Sequence, residues 1–240
     1  MDKTKLKKIL APISVNLVIF AMLASLFTLT INNDVKSVFS PQSEDLYYKG
    51  NTEQKNVTLM INVYWGNEYL PNMLKTLEDN NVKTTFFVGG TWVNKFPELF
   101  LQIVEDGHEI GNHGYFHKDH DKLNYAQNST EIMATHKLVR EYTSKNMNLF
   151  APPSGAYSDI TLKVASNLGY KTIMFSKDTI DWRDHDTNLI IKRATTKIEN
   201  GDLILMHPTL NTAEALPSII KSLKEQGFNL VTVSENIGII

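Results

Sequence analysis

Residues 84–117 read T-T-F-F-V-G-G-T-W-V-N-K-F-P-E-L-F-L-Q-I-V-E-D-G-H-E-I-G-N-H-G-Y-F-H. The stretch opens on a β-rich apolar run, Thr84 to Val88, and ends on a second one, Glu109 to His113. Between them, Pro97 stands where a first helical turn tolerates proline, and Asp106-Gly107 stands where a helix over Pro97 to Glu105 would stop. The unit is strand, helix, strand.

The same alternation extends in both directions. Further short β-rich runs are Val57 to Val63, Leu149 to Pro152, Lys171 to Ser176, Asp202 to His207 and Asn229 to Val233. Leu70, Met73, Leu74 and Leu77 fall at i, i+3, i+4 and i+7, so they share one helical face. Helical patterns also cover Ser129 to Tyr142, Asp159 to Leu168, Asn188 to Ile198 and Thr212 to Glu225, and Gly169, Gly201 and Gly227 follow helix ends. This alternation implies an α/β fold with parallel strands joined by crossover helices. About seven such strands favour a closed or nearly closed barrel over an open doubly wound sheet, although both share this periodicity. In either fold, chemistry sits on the loops after the strands' carboxyl ends. Those loops are Asn62 to Glu68, His113 to His120, Pro152 to Tyr157, Ser176 to Trp182 and His207-Pro208.

Composition narrows the classes. The 240 residues carry 24 basic and 26 acidic side chains, a formal charge of −2, with no basic run in the body of the chain. Duplex nucleic acid is bound largely by phosphate neutralisation, so no nucleic-acid partner is expected. With no cysteine, disulfides and thiolate metal sites are excluded, and His, Asp and Glu are left as the strong metal ligands.

At the amino terminus, Lys3, Lys5, Lys7 and Lys8 precede an uncharged stretch, Ile9 to Ile31. At about 1.5 Å per residue it is long enough to cross a ~30 Å hydrocarbon core. Residues 1–31 therefore read as a transmembrane anchor or a signal peptide. In both cases the lysines orient the following chain to the extracytoplasmic side, on the cell membrane or secreted. A cleavage site after Ala24 would have the large Met22 two places before it, which favours the uncleaved anchor. Residues 32–55 are polar and read as a linker, and residues 56–240 suffice for one sizeable core.

Four of the seven histidines fall between His108 and His120. His113 and His117, four residues apart after a predicted strand, could share one divalent ion such as zinc; otherwise they are surface or hydrogen-bonded histidines. His207 ends the run Asp202 to His207 and would face the same rim. It suits a general acid, having an ordinary pKa of about 6.5, and equally a capping histidine. In D-T-I-D-W, Asp178 and Asp181 could orient another side chain or bind sugar hydroxyls, and Trp182 could stack on a sugar ring, or the acids are simply solvated.

The ordered set resembles the polysaccharide deacetylase family, also called NodB-homology or carbohydrate esterase family four. The matching segments are T-T-F-F-V at Thr84 to Val88, D-G-H-E-I-G-N-H at Asp106 to His113, the pair His113 and His117, P-P-x-G at Pro152 to Gly155, D-T-I-D-W at Asp178 to Trp182, and L-M-H at Leu205 to His207. The resemblance spans essentially Val57 to Val233 and is nearest to a sporulation-associated subgroup. It implies a distorted (β/α) barrel and metal-dependent hydrolysis of acetyl groups on N-acetylated sugars such as those of peptidoglycan or chitin. An Asp and two His would bind the metal, a second Asp would be the base, and a late histidine, here His207, the acid.

Two family motifs depart from that pattern. The first, T-F-D-D-G in the family, is replaced around Asn62-Val63-Tyr64-Trp65-Gly66-Asn67-Glu68. One alignment puts Asn62 at the base position; aligning on Gly66 puts Tyr64 and Trp65 at the acidic positions. Asparagine cannot accept a proton at neutral pH, and a base contributes typically ~10²- to 10⁴-fold in rate. A neutral two-histidine site should hold zinc weakly unless Asn67 or Glu68 contributes. The arginine expected before P-x-G is Ala151, which removes the expected partner of Asp178 or Asp181. Two functions follow: a surviving deacetylase with Glu68 as substitute base or ligand, or a catalytically silent glycan-binding or scaffolding protein of the cell envelope, with Trp65, Pro153, Tyr157 and Trp182 forming a substrate groove.

Overall fold

The computed structural model describes residues 45–240. The predicted amino-terminal helix and linker residues 32–44 lie outside the described residues. No helix among the described residues is long and apolar enough to cross a membrane.

The strands are β1 (Leu46–Tyr47), β2 (Asn56–Val63), β3 (Thr85–Val88), β4 (Glu109–Asn112), β5 (Leu149–Phe150), β6 (Lys171–Ile173), β7 (Lys177–Asp178), β8 (Leu203–Met206) and β9 (Asn229–Leu230). They run in the order β1-β6-β5-β4-β3-β2-β8-β7, with β9 on β2, and every ladder is parallel. β6 and β7 lie six places apart in that order. In a flat sheet they would be about 29 Å apart. Only Met174, Phe175 and Ser176 connect them, a reach of about 14 Å, so the sheet must curl into a distorted barrel. Along this seam the Met174 amide donates to the Tyr47 carbonyl (2.7 Å) and the Ser176 amide to that of Leu203 (3.0 Å).

The expected run Lys171 to Ser176 is therefore divided at the seam, where the chain leaves one neighbour for another. The sheet also takes in Leu46–Tyr47, from the stretch read as linker, because β6 offers an open edge. Val233, expected to end the last strand, begins a helix, Val233–Asn236, which a Thr232–Glu235 capping box starts. Helix Tyr125–Thr143 begins four residues earlier than Ser129, where Asn124 and Gln127 form a second capping box.

Strand alternation sorts side chains into two layers. Val57, Leu59, Ile61 and Val63 of β2 face the surrounding helices, where they meet Leu70, Met73, Leu74 and Leu77 of helix Leu70–Asp79. Met60 faces the interior with Phe87, Leu149, Ala151, Ile173, Leu203 and Leu205. Because side chains repeat every second residue, Asn62 stands above Met60 and His207 above Leu205, at the mouth of the barrel.

Candidate active site

A cavity of about 400 Å³ opens at the carboxyl ends of the strands. Asn62, Tyr64, Trp65, His113, His117, Asp178, Trp182 and His207 line it, so the curled sheet brings together residues spread over nearly 150 positions of sequence.

His113 follows β4 and is buried. Its Nδ1 lies 2.7 Å from the Ala151 carbonyl. A carbonyl only accepts, so Nδ1 carries the proton and Nε2 presents a lone pair. His117 sits at φ 53°, in the left-handed region, and this turn brings its ring to 5.0 Å from that of His113. Burial lowers the pKa of His113 well below the ordinary value, and the neighbouring His117 adds to this; burial likewise lowers His117. Both imidazoles are neutral at pH 7.

Across the cavity, Asp181 is fully buried and organises His207. Its Oδ1 accepts from His207 Nδ1 (2.8 Å), while Oδ2 accepts from the His207 backbone amide (2.7 Å) and the Thr212 hydroxyl (2.6 Å). The indole of Trp65 stacks on the His207 ring, with centroids 5.8 Å apart and planes 9° from parallel. Asp181 and Trp65 thus fix the ring, with Nδ1 engaged by the carboxylate. Asp178 also lines the cavity, and its Oδ1 accepts from the Ile180 amide (2.7 Å) and closes the turn. Ile180 adopts φ 53°, a conformation β-branched residues rarely take, at a cost of order 1–3 kcal/mol. Thr179 Oγ1 donates to the Leu205 carbonyl and Arg193 donates to that of Thr179, which hold the turn in place.

Asn62 is 8% exposed, and its Oδ1 has no hydrogen-bond partner among the described residues. The Tyr64 ring packs 4.8 Å from that of His117. The first motif's replacements thus occupy the cavity without supplying a carboxylate. Glu68 is exposed, and neither it nor Asn67 lines the cavity. Pro153 is buried outside the lining, whereas its neighbours Pro152, Ser154 and Gly155 form part of it. Tyr157 stands outside too, with its hydroxyl 2.6 Å from that of Tyr48. Trp182 is 53% exposed at the rim, with the Arg183 guanidinium 5.9 Å from its ring. Sequence reasoning missed the floor residues Met60, Ile173 and Leu205, which read as ordinary core, and Thr212, which lies on a helix.

The donor set does not suit the zinc that the family resemblance implies. Among the described residues no third His, Cys, Asp or Glu joins His113 and His117 in a metal-holding group. Two neutral imidazoles without an anionic ligand fall short of the three or four ligands zinc takes in proteins, so the residues present do not fit it as a resident ion.

A parallel barrel thus carries an H-x-x-x-H pair, an aspartate-held histidine and two tryptophans around one cavity. Residues 49–173 match the polysaccharide deacetylase family model, and the chain belongs to that family. YlxY of Bacillus subtilis (strain 168) is 42% identical over 188 residues, which are 78% of this chain and 59% of YlxY. The chain thus matches less than two thirds of that relative's length. The peptidoglycan-N-acetylmuramic acid deacetylase PdaA of the same organism is 32% identical over 200 residues, 80% of this chain and 74% of PdaA. Among solved structures, BA3943 of Bacillus anthracis, described as a CE4 family pseudoenzyme, superposes with a TM-score of 0.79 at 38% identity, covering 82% of this chain and 69% of that one.

Proposed function

We propose that this chain is a catalytically silent member of its family that binds N-acetylated cell-wall glycan in the barrel mouth. The observation that carries the reading is Asn62: it lines the cavity, one alignment of the family's first motif puts it at the base position, it has no carboxylate, and its buried Oδ1 has no hydrogen-bond partner among the described residues. The ordered His207, the exposed faces of Trp65 and Trp182 and the neutral His113 and His117 are binding groups. Aromatic faces and fixed polar atoms suit a sugar ring, which is apolar on its faces and polar at its edge. The similarity to a protein described as a pseudoenzyme supports this reading, as does the exposed position of Glu68, which removes the substitute base. The lysine-flanked segment 1–31 supports an extracytoplasmic location facing that glycan.

The test is acetate release from N-acetylglucosamine oligomers and from peptidoglycan, with and without added zinc, beside retention of the protein on insoluble cell wall in the presence of a chelator. The expected result is retention without acetate release. Zinc-dependent acetate release would overturn silence; absence of retention on any envelope glycan would overturn binding.

A further inference from the structure

The fixed charge that lines the cavity is of one sign. No Lys or Arg is among the lining residues, whereas the Asp178 carboxylate is. Arg183, a cation whose charge reaches Asp178, is itself held by Asp184 at 2.8 Å. Burial keeps His113 and His117 neutral, and the buried Asp181, 2.8 Å from His207 Nδ1, offsets any charge that ring takes up. Two acceptors are set by the fold. His113 gives its Nδ1 proton to the Ala151 carbonyl (2.7 Å), so Nε2 keeps a lone pair. Asn62, only 8% exposed, carries an Oδ1 without a hydrogen-bond partner among the described residues. A buried amide oxygen in that state is costly until a donor meets it.

An amino sugar can present its nitrogen in two forms. An acetamide brings one N–H together with a carbonyl oxygen, and that oxygen gains nothing beside an unpartnered amide oxygen and a carboxylate. A free amine, once protonated, brings three donors, no acceptor and a positive charge. Zinc between the histidines would repel such a group, but the donor set does not suit zinc, and the charge that remains is that of the carboxylates.

We infer that the cavity binds the free, protonated amine of a glucosamine-type residue in preference to the N-acetylated sugar, with Asn62 Oδ1, His113 Nε2 and the Asp178 carboxylate as its acceptors. The chain then recognises positions in the glycan from which the acetyl group has been removed. The inference rests on the proposal that the barrel mouth binds cell-wall glycan, and it names the residue seated there; the neighbouring sugars stay N-acetylated. The reaction that supplies such a position is hydrolysis of the amide by another enzyme, in which water adds to the carbonyl, acetate leaves and the amine takes up a proton. Hydrogen bonds to a charged donor are roughly twice as strong as neutral ones, and one such bond gained over the acetamide corresponds to about tenfold in affinity.

The experiment is titration calorimetry of the full chain with three tetramers, N-acetylglucosamine, glucosamine and N-trimethylglucosamine, in the presence of a chelator and at pH ~6.5, where the primary amine is protonated. Glucosamine is expected to bind about tenfold more tightly than N-acetylglucosamine. The trimethyl form has the same charge without an N–H, and is expected to lose that advantage. In Asp178→Asn, which keeps an oxygen for the Ile180 amide and removes the charge, and in Asn62→Leu, which removes the buried acceptor, the ratio of glucosamine to N-acetylglucosamine binding is expected to fall toward one. Melting curves of the variants show whether they are folded; if they are not, the three ligands on the unaltered chain still decide. Binding of N-acetylglucosamine as tight as that of glucosamine, or tighter, overturns the inference and leaves glycan binding standing. Equal binding of the amine and its trimethyl form also overturns it, since that is unspecific attraction between charges. Binding of none overturns both.

Discussion

Asp181 holds His207 at two points, the ring through Oδ1 at 2.8 Å and the backbone amide through Oδ2 at 2.7 Å, while Thr212 donates to the same Oδ2 at 2.6 Å. One buried carboxylate therefore joins the turn after β7, the end of β8 and the helix Leu210–Glu225. Its first consequence is for stability.

Asp181→Ala leaves an amide, a ring N–H and a hydroxyl without their acceptor in a buried site. The expected loss is about 3 kcal/mol in urea unfolding, against about 1 kcal/mol for Thr212→Val, which removes one of the three bonds. Equal effects from the two substitutions would contradict this division of roles.

Stability should also fall on acidification. His108 is buried, accepts a hydrogen bond at Nδ1 from the Thr84 amide (3.3 Å), and has its pKa lowered to about 4, chiefly by burial and next by Lys83. Burial lowers His113 and His117 as well. For each, the unfolded chain takes up protons at a higher pH than the folded one. The stability from keeping them neutral is therefore present above pH ~6.5 and is lost as pH falls below it, for His108 down to about 4. His108 alone accounts for up to about 3 kcal/mol at 1.36 kcal/mol per pH unit. Unfolding free energies from pH 7 to 4 should show this slope, and His108→Asn should flatten it.

The donor set predicts weak zinc binding. After equilibration with excess zinc and desalting, the full chain is expected to retain well under one zinc per molecule, with no difference in His113→Ala. A stoichiometric ion, lost in the variant, would show that the pair binds zinc without its carboxylate.

Gly66 has φ +77°, and a Cβ there would collide with the Pro208 carbonyl oxygen. This close approach sets the loop carrying Trp65 against the loop carrying His207. Gly66→Ala should cost at least ~2 kcal/mol, from strain and displacement together, and should weaken glycan retention by moving Trp65 off His207. Unchanged melting temperature and retention would show that the approach is incidental.

Much was legible in the chain itself. The alternation of β-rich runs and helical patterns, with glycine at helix exits, determined a parallel α/β fold, because these are local properties of spacing and backbone freedom. The order of short motifs determined the family, and the residue types at 62, 64, 65 and 151 determined that, in either alignment of the first motif, the chain lacks carboxylates and a guanidinium that the family pattern carries. Tertiary structure decided what those residues do. The three-residue crossing from β6 to β7 curls the sheet and brings His207 opposite the His113 pair. Two-residue alternation turns Met60 and Leu205 inward beneath Asn62 and His207, although in the sequence the first two read as ordinary core. Glu68 shares a loop with Trp65, yet only the fold leaves the carboxylate in solvent and sets the indole on His207. The physical reason is common to these cases: the direction of a side chain changes with one residue of register, and its neighbours across the barrel are set by packing between elements far apart in sequence.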